Sequence, residues 1–211
     1  MSRITISLVL LFVSLFTVSP AQAAGDTVGN GTAASCTEAA FDAALASVLG
    51  SGGGTLTFNC GGPATINFTA GKVISAAAVT IDGSNQITLN GANIARHFYV
   101  EANANLTVKN ITLINGFDNT YGGGSILSLG GLSLEGATLQ GNNVDAGHSG
   151  GAILAYQPVT ITNSLIENNT GGSVGGVFLF GETADAIITG STFRNNRTTN
   201  DAYGLGGALT T

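Results

Sequence analysis

The feature that most constrains this chain is an internal repeat of about 27 residues. The segments VTIDG, LTVKN, LSLEG and VTITN, followed in register by IITGS, set Ile81, Val108, Leu134, Ile161 and Ile188 at intervals of 27, 26, 27 and 27. Each unit alternates apolar and polar residues over short stretches, and none has a helical period long enough for a crossover helix. The consistent solution is a coil stacked on a coil, with each backbone group pairing above and below at the ordinary strand spacing of about 4.8 Å. The expected fold is all-β: a right-handed single-stranded parallel β-helix with three short strands per coil.

Further columns follow the same period. Two residues after each anchor stand Gly83, Asn110, Gly136, Asn163 and Gly190, residue types that accept left-handed backbone angles, so a sharp bend is expected there. Five residues after the last four anchors come Leu113, Leu139, Ile166 and Phe193, an apolar row for a second strand. Three further on, Asn142, Asn169 and Asn196 recur every 27 residues, placed to stack as an amide ladder. Gly-Gly pairs at 123, 150, 175 and 206 lead into a third strand with spacings of 27, 25 and 31. Alternation puts Thr80, Thr107, Ser133 and Thr160 in one outward column, interrupted at Ile187.

The first residues have the layout of a secretory signal peptide: Arg3, an apolar stretch over 4–18, Pro20, and the small triplet Ala21-Gln22-Ala23. That stretch is too short for a membrane span, and the expected mature chain has no transmembrane segment. Six Lys and Arg against 12 Asp and Glu give a net charge of −6, which argues against a nucleic-acid partner because nothing neutralises phosphates. In an exported chain, the only two cysteines, Cys36 and Cys60, are expected to pair as a disulfide, the alternative being two buried thiols. The 35–49 stretch, with Phe41, Ala44, Leu45, Val48 and Leu49 at helical spacing and a Ser35/Glu38 capping box, is expected to cap the first coil. The expected organisation is a leader over 1–23, a linker and capping helix over 24–54, and the β-helix over 55–211. A further V-T-I segment falls due near position 215, so the C-terminal rung is expected to be open and the chain a fragment.

The Gly-Gly-Ala-Ile/Leu segments, with Leu139-Gln-Gly-Asn142, Ile166-Glu-Asn-Asn169 and Phe193-Arg-Asn-Asn196, resemble the GGA[ILV] and FxxN repeats of polymorphic-membrane-protein-like bacterial passengers and other pectate-lyase-like β-helix proteins. GGGTLTFNC and VTIDG resemble the N-terminal part of many secreted bacterial β-helix repeat proteins. The resemblance covers about residues 35–209 and implies the fold; adhesins, lyases and hydrolases all use that fold, so it does not choose among them. The passengers' outer-membrane barrel has no counterpart in these residues, so their anchoring is not carried over.

Lyases and galacturonases of this fold class work with clustered carboxylates, often calcium, and a basic residue. The loops before the Gly-Gly pairs supply Asp118 and Tyr121, then Asp145 and His148, then Asp201 and Tyr203. Asp118 and Asp145, 27 apart, are placed to share adjacent rungs and hold a calcium or a proton between them. Ordinary turn chemistry explains the same residues, and no Lys or Arg lies in those two loops. Arg96 and His97 read as a surface pair remote from them in register. No catalytic residue, metal ligand or cofactor is therefore assigned. The expected function is that of a secreted or cell-surface, adhesin-like structural and binding module, facing a cell-surface glycan or a protein on a host or neighbouring cell. The alternative is a polysaccharide lyase or glycoside hydrolase acting on acidic polysaccharide.

Overall fold

The computed structural model describes residues 25–75, 77–181, 184–199 and 204–211; the leader expected over 1–23 lies outside them, as do Asp201 and Tyr203. The described chain forms six coils of a parallel β-solenoid. The first wall is seven strands, ordered Asp26–Val28, Gly53–Phe58, Ala78–Asp82, Asn105–Lys109, Gly131–Glu135, Val159–Thr162 and Ala186–Thr189. The second runs Ala64–Asn67, Ile87–Asn90, Thr112–Ile114, Thr138–Gln140, Leu165–Glu167 and Thr192–Arg194. The third runs Lys72–Ile74, Phe98–Val100, Ile126–Ser128, Ile153–Ala155, Val177–Leu179 and Leu209–Thr210. The expected three strands per coil become four from the third coil on. The addition is a short wall of Phe117–Asp118, Asn143–Val144, Thr170–Gly171 and Arg197–Thr198, formed where the loop after the second wall runs extended for two residues.

The anchor row is one column. Ile81, Val108, Leu134, Ile161 and Ile188 pair in succession, and Leu56 extends the row upward. Leu56 through Ile161 are fully buried, each stabilising the interior by about 1.5–3 kcal/mol relative to exposure. Ile188, in the sixth coil, keeps its register and is 40% exposed. The second-wall row likewise extends from Leu113 back to Leu89 and Ile66. Thr80, Thr107, Ser133 and Thr160 form the outward column, meeting Ile187 as its next member.

Two expectations of register are corrected. Aligning the Gly-Gly pairs would set Phe178 beside Ile153, but Ile153 pairs with Val177, because Gly176 rather than Val177 stands beside Ala152. A one-residue slip reverses every side chain. The observed register sends Val177 and Leu179 inward and turns Phe178 outward. The left-handed bend occurs at Asn110, Gly136, Asn163 and Gly190, but in the second coil it falls on Ser84 and Asn85 rather than Gly83. That turn is longer, and Gly83 is needed for space: a Cβ there would stand 2.7 Å from the Ile111 side chain.

The N-terminal cap also differs in detail. A strand, Asp26–Val28, precedes the helix and pairs with Leu56, Thr57 and Phe58, so the expected linker belongs partly to the first wall. The helix Glu38–Gly50 is capped by Thr37, whose hydroxyl accepts from Ala40 N at 3.2 Å, and not by Ser35, which ends a short 3-10 turn. Glu38 is thereby freed from a capping box. It binds Thr69 N and Oγ1 at 2.9 and 2.7 Å and the Lys72 ammonium at 2.6 Å, fastening the helix to the first coil. Burial, which alone would raise the Glu38 pKa, is outweighed by hydrogen bonds from Lys72 and Thr69 and by the Lys72 charge, and the carboxyl sits at about 2. Phe41 presses edge-on against Phe68 at 4.9 Å, and Cys36 and Cys60 are joined by a disulfide beside them.

The asparagine column is a hydrogen-bonded ladder. Asn142 Nδ2 donates to Asn169 Oδ1 and Asn169 Nδ2 to Asn196 Oδ1, both at 2.9 Å. The same amides donate to the carbonyl of the preceding coil: Asn142 to Leu113, Asn169 to Leu139, Asn196 to Ile166. Asn196 matches a glycosylation triplet, yet its amide is engaged here. A second ladder, on the outer side of the second wall, joins Asn115 to Asn90 at 3.0 Å and Asn90 to Asn67 at 2.9 Å.

Candidate functional site

In the second coil the segment before the third wall lacks a Gly-Gly pair and carries Arg96-His97-Phe98 instead. Register matches Phe98 to Ile126, so Arg96 stands directly beneath the loop that follows Asp118. The sequence reading that set Arg96 apart from that loop is therefore corrected. Arg96 Nη2 meets Asp118 Oδ2 at 2.7 Å, and the guanidinium also donates to Gly123 O at 2.9 Å and Gly122 O at 2.8 Å. Asp118 Oδ2 in turn accepts from Thr120, Tyr121 and Gly122 N at 3.0, 2.7 and 2.8 Å. One residue thus gathers the loop's amides while the other gathers its carbonyls. Burial raises the Asp118 pKa, but the loop amides and Arg96 lower it further, and the net shift is downward.

His97 is not on the surface. Its ring is fully buried, Nε2 faces the Leu89 carbonyl at 3.0 Å, and Nδ1 lies 3.0 Å from the Ser125 hydroxyl. A nitrogen facing a carbonyl carries the proton, so Nδ1 accepts from Ser125. Desolvation, opposed by hydrogen bonds to the Leu89 and Ile114 carbonyls, brings its pKa to about 4, which leaves the ring neutral. His97 does the work of a missing rung. Asparagines satisfy the Leu113, Leu139 and Ile166 carbonyls, but the position due to serve Leu89 is Gly116, whose absent side chain makes room for the imidazole.

The expected Asp118/Asp145 pair does not form. Register sets Val144, not Asp145, beside Asp118, because this coil advances by 26 residues rather than 27. Asp145 is engaged within its own loop by the His148 ring and by Gly147 N at 3.2 Å. Among the described residues, no group of three or more His, Cys, Asp or Glu gathers as a metal-binding set.

The loop tied by Arg96 and Asp118 forms one side of a groove of about 630 Å³ on the outer face of the third wall, a volume ordinary for a ligand site. All three tyrosines among the described residues, Tyr99, Tyr121 and Tyr156, line it, over an apolar bed of Val73, Leu127 and Leu129. Tyr121 is 67% exposed and Tyr156 36%. Phe180, 52% exposed, lies 5.3 Å from the Tyr156 ring and 5.8 Å from Phe178, carrying the aromatic surface beyond the groove. Among the described residues, the other exposed large hydrophobics are Val73, in the groove's bed, Ile94, beside the same loop, and Ile187, Ile188 and Leu205 near the last coil. Sequence reasoning singled out Tyr121 but missed the groove. The available signal was the outward member of each third-wall strand: Val73, Tyr99, Leu127, Leu154 and Phe178, all apolar or aromatic where an outward face is ordinarily polar, with Leu127 and Leu154 buried on that face.

Comparison with family models, with curated proteins and with solved structures finds no match to this chain.

Proposed function

We propose that this chain is an exported, adhesin-like β-solenoid module, secreted or held at the cell surface, that recognises a surface glycan through the groove on its third wall. The observation that carries the reading is the gathering of Tyr99, Tyr121 and Tyr156 in one concavity on an otherwise stiff stack of coils. Aromatic rings present large, rigid, amphipathic area at little entropic cost, with a hydroxyl available to a polar ligand. The wall beneath them is hydrogen-bonded from coil to coil, so the groove is pre-organised and little ordering opposes binding. Export is supported by the leader-like layout of residues 1–23.

The test is retention of the secreted chain on a panel of immobilised glycans, alongside Tyr99→Ala and Tyr121→Ala. The expected outcome is binding to at least one glycan, weakened by about tenfold or more in either variant. Retention unchanged in both variants would place recognition elsewhere. N-terminal sequencing of protein recovered from the medium or cell surface is expected to begin at Ala24.

A further inference from the structure

We infer that the groove selects an uncharged, chain-like glycan laid along the coil axis, its successive rings meeting Tyr99 and Tyr121, then Tyr156, then Phe180. This rests on the reading of the groove as a glycan site and names what that site accepts.

The direction comes from register. Two columns run side by side up the outer face of the third wall. One is Val73, Tyr99, Leu127, Leu154 and Phe178, in which Leu127 and Leu154 are buried, so the accessible path passes from Tyr99 to the second column. The other lies two residues further along each strand, where Leu129, Tyr156 and Phe180 donate their backbone N–H in turn to Val100, Ser128 and Ala155 of the coil before. The aromatic surface therefore runs across the strands, from the second coil to the fifth, advancing about 4.8 Å per coil. That advance is commensurate with one sugar ring, so an extended oligosaccharide lying across the strands offers one ring per coil. A compact ligand would use only the Tyr99/Tyr121 end.

The absence of charge on the ligand comes from the groove's ions. Arg96 is the cation at its edge, and its Nε and Nη2 are already bound to Gly123 O, Gly122 O and Asp118. A uronate carboxylate would have to displace Asp118, whose own loop depends on it. Glu101, at the second-coil end of the Leu129 column, adds a negative charge, and the whole chain carries −6. Both oppose a polyanion. The face is thus unsuited to the acidic polysaccharides of the lyase-like alternative and suited to neutral rings stacking on aromatic ones.

The test is calorimetric titration of the full chain with xylo-, cello- and manno-oligosaccharides of increasing length and with oligogalacturonates of the same lengths. For a neutral series, affinity is expected to rise about tenfold or more up to about four rings, one per coil from the second to the fifth, and to be insensitive to salt. Phe180→Ala, beyond the groove itself, is expected to remove the gain from the longest chains while leaving binding of the shortest unchanged; its side chain is 52% exposed, so the fold survives. Tighter, salt-sensitive binding of oligogalacturonate would overturn the inference while leaving a glycan site in place. So would affinity that does not depend on length. No binding of any member of either series would overturn the glycan reading itself.

Discussion

Arg96 and Asp118 lie 22 positions apart in the chain, in the second and third coils, and meet at 2.7 Å beneath the loop that carries Tyr121. Their pairing links the solenoid to its groove, since Arg96 holds the loop's carbonyls and Asp118 its amides. Arg96→Ala is expected to leave the Gly122 and Gly123 carbonyls without their donor and Asp118 without its counter-charge, to cost about 1–3 kcal/mol, and to loosen residues 119–124 without unfolding the coils. Hydrogen exchange checks this: protection is expected to fall at Tyr121 and Gly122 N and to stay unchanged in the second wall.

The asparagine ladder gives a second expectation. Asn169 donates to Asn196 and to the Leu139 carbonyl and accepts from the side chain and backbone of Asn142. Asn169→Leu keeps the branched shape of the side chain but leaves buried polar groups on two coils unpaired, at an expected cost of about 2–5 kcal/mol. Asn196→Leu, at the more exposed end, is expected to cost less. Denaturant melts of the two variants rank them directly.

Stability is expected to depend on pH in two separable windows. His97 is held neutral, its pKa depressed from 6.5 to about 4, so the unfolded chain binds the proton more readily. Its contribution is complete above about pH 6.5 and declines as pH falls toward 4. Glu38, depressed from 4.5 to about 2, contributes fully above about pH 4.5 and loses that contribution as pH falls toward 2. Melting temperatures measured across pH are expected to lose the lower slope in Glu38→Gln and the upper slope in His97→Gln. Unchanged profiles would contradict the placement of either side chain.

The Cys36–Cys60 disulfide closes a loop with a sequence separation of 24 beside the packed Phe41 and Phe68 rings. Cross-linking a loop of that size stabilises by about 3 kcal/mol through the unfolded chain's lost entropy. Reduction is expected to lower the unfolding midpoint by a corresponding amount and to release the helix Glu38–Gly50 first. Circular dichroism in oxidised and reduced samples follows both.

What was legible in the sequence was whatever repeats at the period of the coil. The column of Ile81, Val108, Leu134 and Ile161 and the ladder of Asn142, Asn169 and Asn196 lie where spacing puts them, because a stacked rung leaves a side chain no other neighbour. Departures from the period were read less well. The short advance between the third and fourth coils separated Asp118 from Asp145, and the Gly175/Gly176 offset turned Phe178 outward. Arg96 and His97 were misjudged because each replaces a repeat residue instead of repeating one: Arg96 stands where the third to sixth coils have glycine, and His97 serves the Leu89 carbonyl where later coils use asparagine for the corresponding one. The groove was hidden for a related reason, since its tyrosines come from three different coils and from three different positions within them.

The measurement that bears most directly on the recognition face is amide chemical-shift mapping on isotope-labelled protein titrated with the best-binding neutral oligosaccharide. The expected result is perturbation confined to Tyr99, to Tyr121 and its loop, to Leu127 and Leu129, and to Tyr156 and Phe180, with the Thr107 and Thr160 column unmoved. Perturbation centred instead on Asp145 and His148, or spread over the Thr column, would contradict it.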